Sequence, residues 1–234
     1  MRIIFFNVWH GQVWDGLKKF ILDQSKKTDI FCFLEADPSL QSKLTSILPD
    51  FTPIYDKGIK TAYVNGIFEG RSIFVRNGID IGETQAFSLF KVNKRDAGGF
   101  QYAKLRVNGK ELLIGEVHGK ARPGTKKDTP TRLNQSKKII DFFADKKGPK
   151  IIGGDFNLDL NTKSVAMFEG AGYRNLIKDF GIKNTRNRLS WEIFNNVQYF
   201  ADYCFVSPEV KVKNFEVPQL EISDHQPLIL DFEI

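Results

Sequence analysis

The chain has 234 residues, of which 41% are hydrophobic, 26% charged and 13% aromatic, and it carries a net charge of +6. That is ample material for one large core and gives no sign of a second domain, so a single domain over residues 1–234 is expected. No apolar run approaches the roughly 20 residues of a membrane span, and the apolar start, residues 1–7, is too short for a signal peptide, so a cytoplasmic protein is expected.

In chain order, strand candidates fall at residues 2–7, 29–34, 71–76, 102–107, 111–118, 150–153, 200–207, 211–217 and 227–232, most of them rich in Ile, Val and Phe and bounded by Gly, Asn, Asp or Pro. Between the first two, Val13, Leu17, Phe20 and Ile21 recur at i, i+4, i+7 and i+8, the spacing of a helix with one core-facing stripe. A second helix is predicted over 131–146, with Leu133, Ile139, Ile140 and Phe143 inward. Asn108-Gly109 between two strand runs predicts an antiparallel hairpin, so the sheet cannot be purely parallel. Hairpins mixed with helical crossovers point to an α/β fold in which two sheets pack face to face with helices outside. The two cysteines, Cys32 and Cys204, lie inside apolar runs without Cys-x-x-Cys spacing and read as buried thiols.

Two short motifs carry the chemistry. Gly154-Asp155-Phe156-Asn157 follows the run at 150–153, and Ser223-Asp224-His225 precedes the last strand. A carboxylate and an amide at i and i+2 past a strand leave the sheet on the same side, where they can hold one water or one metal; as simple turn residues they would do neither. Glu35 comes directly after five apolar residues, Ile30 to Leu34, and must reach solvent or a partner such as a metal ion. Asn7 ends the first strand in the same way, or merely terminates it. Asp202 sits in an alternating apolar run where an unpaired carboxylate is costly, and an imidazole is its natural mate. His118 closes the strand at 111–118, a place where a histidine is usually just a surface residue. His10 reads as a loop residue near the site.

With Asn7 and Glu35 at the ends of the first two strands, this set resembles the endonuclease/exonuclease/phosphatase superfamily of divalent-metal phosphoesterases, from Asn7 to the last strand. The resemblance implies a four-layer α/β sandwich of two mixed, mainly antiparallel sheets. It implies Glu35 as the main Mg²⁺ ligand, with Mn²⁺ as a substitute, and an amide from Asn7 in the same cluster. Asp155 would position the attacking water, and Asn157 would help hold the phosphate or the metal. Asp202 and His225 would form a dyad, with the histidine either a general base or a phosphate-stabilising cation. Asp224 would be a metal ligand or a water-positioning carboxylate, and His118 a phosphate-contacting or leaving-group-side residue. Abasic-site endonucleases of the superfamily usually carry a Gln before the metal-binding Glu, where this chain has Leu34, and a Gly-Arg-Ile-Asp-like lead into the dyad Asp, where it has Phe200-Ala201. That repair specificity is therefore not expected.

Residues 118–150 contain ten Lys or Arg against three Asp, a surplus larger than the net charge of the whole chain, so the remainder is close to neutral. A basic segment next to a phosphoesterase centre steers polyanions inward, and a lysine-decorated solvent face accounts for about half of it. Lys120, Arg122, Lys126 and Lys127 are least explained by such a face, and Arg186 and Arg188 form a second phosphate-binding loop. Trp9 and Trp14 could stack on a base, or Trp14 could belong to the core. The expectation is a monomeric nuclease, DNA and RNA being equally open; the alternatives are a phosphatase or phosphodiesterase on a lipid or small-molecule phosphoester, and a non-catalytic nucleic-acid-binding protein.

Overall fold

The computed structural model describes residues 1–60, 68–92, 98–194 and 197–234. Its first sheet runs in the order β11 (Lys211–Glu216), β12 (Leu228–Glu233), β1 (Arg2–Asn7), β2 (Ile30–Leu34), β4 (Arg71–Arg76) and β3 (Phe51–Asp56). The second runs β5 (Asp80–Phe87), β6 (Gly99–Val107), β7 (Lys110–His118), β8 (Lys150–Asp155), β10 (Asp202–Val206) and β9 (Arg174–Asn175). Among the described residues only β1·β2 and β7·β8 pair in parallel; the other ladders are antiparallel. Helical crossovers serve both parallel pairs: α1 (Trp14–Ser25) joins β1 to β2, and α3 (Pro130–Ala144) joins β7 to β8. The mixed sheets with outer helices are the architecture that the sequence implies.

Side-chain alternation sorts the core into layers. Ile3 and Phe5 of β1, Ile30 and Cys32 of β2, and Ile73 and Val75 of β4 join the large core shared with the second sheet. Their neighbours Ile4, Phe6, Phe31, Phe33 and Phe74 point the other way, onto Leu17 and Ile21 of α1 and onto Leu40 and Leu44 of α2 (Pro38–Ile47). The sheets meet closely where β8 crosses β1. A Cβ on Gly153 would stand 2.6 Å from the ring of Phe5, so only glycine lets the ring lie flat on the β8 backbone.

The nine expected strands are all present, the Asn108-Gly109 hairpin among them, with Val107 opposite Lys110. Three strands lack a sequence signal. β3 is an edge strand that accommodates Pro53, β5 is a largely exposed edge, and β9 is two residues long. The helix at 130–144 buries Ile139 and Phe143 as expected, but the rest of its inward stripe is polar. Its buried residues are Arg132, Gln135, Ser136, Ile139 and Phe143, while Leu133 and Ile140 are half-buried. Polar side chains occupy that stripe because they fasten the loop before the helix. Arg132 donates to the carbonyls of Lys120, Ala121, Pro123 and Lys127, and Gln135 accepts the backbone N–H of Lys120. Both cysteines are buried free thiols. No helix of the described residues is long and apolar enough to cross a membrane.

Candidate active site

Register across the second sheet places His118, Asp155 and Asp202 side by side, His118 opposite Asp155 on β7 and β8, and Asp155 opposite Asp202 on β8 and β10. Asn7, at the end of β1, faces this row from the other sheet. Its Nδ2 donates to Glu35 Oε1 at 2.9 Å and to Asp155 Oδ2 at 3.3 Å, joining the two sheets' carboxylates through one amide. The cleft between the sheet ends is thus lined by strand ends, the last residues of β1, β7 and β8 and the first of β10, with Glu35 one residue past β2. One pair deeper the layer turns apolar, with Phe5, Cys32, Gly153 and Cys204, and Glu116 as the exception. Glu116 is fully buried and neither carboxyl oxygen has a hydrogen-bond partner among the described residues. Burial holds its pKa well above the usual carboxylate range.

Asp155 is the most tightly held carboxylate. Its Oδ1 accepts the backbone N–H of Asn157 at 2.8 Å, and its Oδ2 accepts the Asn157 amide at 3.1 Å. Asn157 itself has a left-handed backbone (φ 55°), donates to the Gly119 carbonyl at 3.1 Å and accepts the ammonium of Lys126. Burial alone would raise Asp155, but His225, Lys126, His118 and Arg186 together hold its pKa below the ordinary value. Lys126 is itself buried, which lowers its pKa to about 8 against the pull of Asp155.

The Ser223-Asp224-His225 segment is pinned by the Ser223 hydroxyl, which donates to the Asn7 carbonyl at 2.7 Å. His225 turns Nδ1 to Asp202, 3.0 and 2.9 Å from its two oxygens, and Nε2 toward Asp155 Oδ2 and Asp224 Oδ2 at 3.7 and 3.8 Å. Desolvation would lower the imidazolium pKa, yet Asp202, Asp224 and Asp155 raise it to about 9. Burial raises Asp202 to about 6 even with His225 opposing, and raises Asp224 as well. Arg186 reaches Asp224 Oδ2 at 3.3 Å, and its backbone bridges that of His225.

On the other side of the cleft, Glu35 (φ 57°) faces His118 Nε2 at 3.7 Å and His10 Nε2 at 3.4 Å. Despite burial, these histidines and the Asn7 hydrogen bond hold the Glu35 pKa below its usual value. Glu69 lies beside it, raised to about 8 by burial and by the Glu35 carboxylate. Burial lowers the pKa of His118, whose Nδ1 is buried without a hydrogen-bond partner among the described residues.

The predicted residues Asn7, Glu35, His118, Asp155, Asn157, Asp202, Asp224 and His225 therefore line one cleft, with Arg186 at its wall. Arg188 does not join them. It is exposed at the start of a short helix, Arg188–Phe194, where it binds Glu221 and Glu192 instead. Lys120 and Arg122 lie on the loop that Arg132 anchors, half-buried and exposed respectively, and the Lys120 ammonium stands 4.8 Å over the Phe90 ring. Trp14 packs against the outer core of the first sheet. His10, expected only as a loop residue near the site, stands against Glu35; Glu69 is not anticipated from the sequence, and Lys126 carries there no more weight than its loop neighbours. The signal for Glu69 was its place two residues before the β4 strand that pairs with β2.

The sequence model of the Endonuclease/Exonuclease/phosphatase family matches residues 4–225. Comparison with curated proteins finds no match. Among solved structures, the mannosyl-6-phosphatase Bt3783 of Bacteroides thetaiotaomicron shares 19% identity, with a TM-score of 0.75 and the whole of both chains covered. The human Nocturnin catalytic domain with bound sulfate shares 18% identity at a TM-score of 0.75, covering all of this chain and 94% of that one. D. rerio TDP2 complexed with single strand DNA product shares 16% identity, also at 0.75, covering all of this chain and 99% of its own.

Proposed function

The chain belongs to the endonuclease/exonuclease/phosphatase family, and from that premise we propose that it hydrolyses phosphodiesters with the help of a divalent cation, a polynucleotide being the substrate. The observation that supports this best is the pairing of a rigidly hydrogen-bonded carboxylate, Asp155, with an imidazolium, His225, across 3.7 Å. The donor set suits a divalent cation. Carboxylate oxygens of Glu35, Asp155 and Asp224 surround the cleft with no thiolate among them, and the buried Oε2 of Glu69 beside Glu35 has no hydrogen-bond partner among the described residues. Glu35 would hold Mg²⁺, or Mn²⁺ in its place, with Asn7 and Asp224 nearby. Such an ion polarises a phosphoryl oxygen and offsets the charge that grows there.

The protein groups divide the remaining work. Asp155, ionised and held by three N–H donors, orients the water for in-line attack on phosphorus and takes up its proton. Asn157 and Lys126 offer the phosphate neutral and positive donors without adding negative charge. Asp202 fixes the orientation of the His225 ring and keeps it cationic at neutral pH, so of the two roles open to this histidine, stabilising phosphate charge is favoured over acting as the base. His118, neutral through burial, presents its ring to the same space.

A second reading, hydrolysis of a small phosphorylated metabolite, is favoured by how the basic segment is engaged. Arg132 is buried among carbonyls, Lys127 pairs with Asp159, Lys137 with Asp141, and Lys138 donates to the Leu89 carbonyl. Fewer cations remain for a long polyanion than the sequence count implies. Hydrolysis of single- and double-stranded DNA, RNA and phosphorylated sugars, each measured across a salt series, tests the substrate. Polynucleotide cleavage that falls steeply with salt is the expected result, and turnover of phosphorylated sugars alone would reassign the substrate.

A further inference from the structure

We propose that His10 and Glu69 complete the metal centre at Glu35, forming a His10–Glu35–Glu69 site that selects a first-row transition ion such as Mn²⁺ over Mg²⁺; this rests on the metal-dependent reading above. The three residues come from three segments laced by backbone hydrogen bonds. His10 N–H donates to the Glu35 carbonyl at 3.2 Å, and Ala36 N–H to the Gly70 carbonyl at 3.0 Å. A Cβ on Gly70 would lie 2.0 Å from the Ala36 carbonyl oxygen, so the glycine is what allows Glu69 to approach Glu35.

The donor atoms converge. His10 Nε2 lies 3.4 Å from Glu35 Oε2 and 3.9 Å from Glu69 Oε2, and one ligand atom from each of the three residues lies within 4.8 Å of the others. Asn7 occupies the other Glu35 oxygen, Oε1, and leaves Oε2 turned to this cluster. One buried oxygen points in without a hydrogen bond: Glu69 Oε2 has no such partner among the described residues. The His10 side chain is 8% exposed and turns Nε2 to the cluster, while its Nδ1, on the far side, is buried and without a hydrogen bond among the described residues.

Behind His10 stands a supporting carboxylate. Asp37 caps α2 with Oδ1, which accepts the N–H groups of Ser39 and Leu40, and turns Oδ2 to His10 Nδ1 at 3.9 Å. A carboxylate behind the far nitrogen of a ligating imidazole is how proteins fix the ring for a metal. The loop accepts strain to place it, since Trp9 and His10 both have left-handed backbones (φ 46° and 51°). A ring nitrogen in the donor set shifts preference from Mg²⁺, which favours oxygen, to ions that accept imidazole.

The test is Mn²⁺ binding to EDTA-stripped protein, followed by electron paramagnetic resonance, with nitrogen coupling read by spin-echo modulation. Coupling to a bound imidazole nitrogen is expected in the wild type and in His118→Ala, and lost in His10→Ala. Glu69→Gln, which preserves shape, is expected to weaken Mn²⁺ by about tenfold or more. The site is overturned if bound Mn²⁺ shows no nitrogen coupling in the wild type, as it would if His10 were only an ion-pair partner, or if His10→Ala retains the coupling. Hydrolysis is scored separately: coupling without turnover supports the metal centre and removes the proposed reaction, whereas turnover without coupling removes the metal centre alone.

Discussion

His225 Nδ1 lies 2.9 Å from Asp202 Oδ2 and 3.0 Å from Oδ1, in a pair buried at the cleft floor. Because this contact fixes both the orientation and the charge of the ring, Asp202→Asn is expected to lower kcat by about 10²- to 10⁴-fold while leaving the fold intact. Proton NMR of the metal-free variant should show the His225 midpoint falling from about 9, since burial, which lowers it, would be opposed by fewer carboxylates.

Lys126 is the only lysine whose ammonium meets the motif amide among the described residues. It is charged below about pH 8 and neutral above. Phosphate binding that depends on this charge weakens as pH rises through that value, so KM in the wild type should climb on the alkaline side. In Lys126→Met, KM should be higher at neutral pH, by roughly tenfold for the loss of one charge-assisted hydrogen bond, and flat across the same range. A KM-versus-pH profile of both proteins decides it.

Glu116 gives a stability signature. Its folded pKa is raised, so above the ordinary Glu value the unfolded chain ionises while the folded one stays protonated. The folded state then binds more protons, and stability falls as pH rises. Glu116→Gln removes that slope, so its urea midpoint relative to wild type should move upward between pH 5 and pH 8. Parallel curves would mean that Glu116 ionises inside the fold.

The legible part of this protein is its alternating strands and the polar residues that end them. Asn7, His118 and Asp155 each follow an apolar run, and a period of two places them on the inner face where the sheets part. Glu35 also follows such a run, but alternation alone would set it with Phe31 and Phe33 on the outer face; it reaches the site past the end of β2, on a left-handed backbone (φ 57°). His10 and Glu69 follow no such run. They are brought in by backbone hydrogen bonds between loops, which local patterning does not encode. Charge counting misleads for a related reason: Arg132 counts as a surface cation in sequence, whereas its place on the buried stripe of α3 makes it the anchor of the 119–127 loop.

Gly153 tests the packing beneath the site. Gly153→Ala would drive a methyl to 2.6 Å from the Phe5 ring, and overpacking of this kind costs about 1–3 kcal/mol. Thermal denaturation should show a lower midpoint, with a larger loss than for alanine at the exposed Gly172, where a side chain meets nothing within 4 Å but must adopt φ 88°.

Asp155 and His225 are proposed to act together on a phosphoric ester in a cation-dependent reaction. Steady-state hydrolysis of a bis-aryl phosphodiester by wild type, Asp155→Asn and His225→Ala, each with Mg²⁺, Mn²⁺ or EDTA, tests this. Turnover by the wild type with either ion, none with EDTA, and a loss of at least about 10²-fold in both variants are expected. Turnover that survives EDTA, or that either variant retains in full, would contradict it.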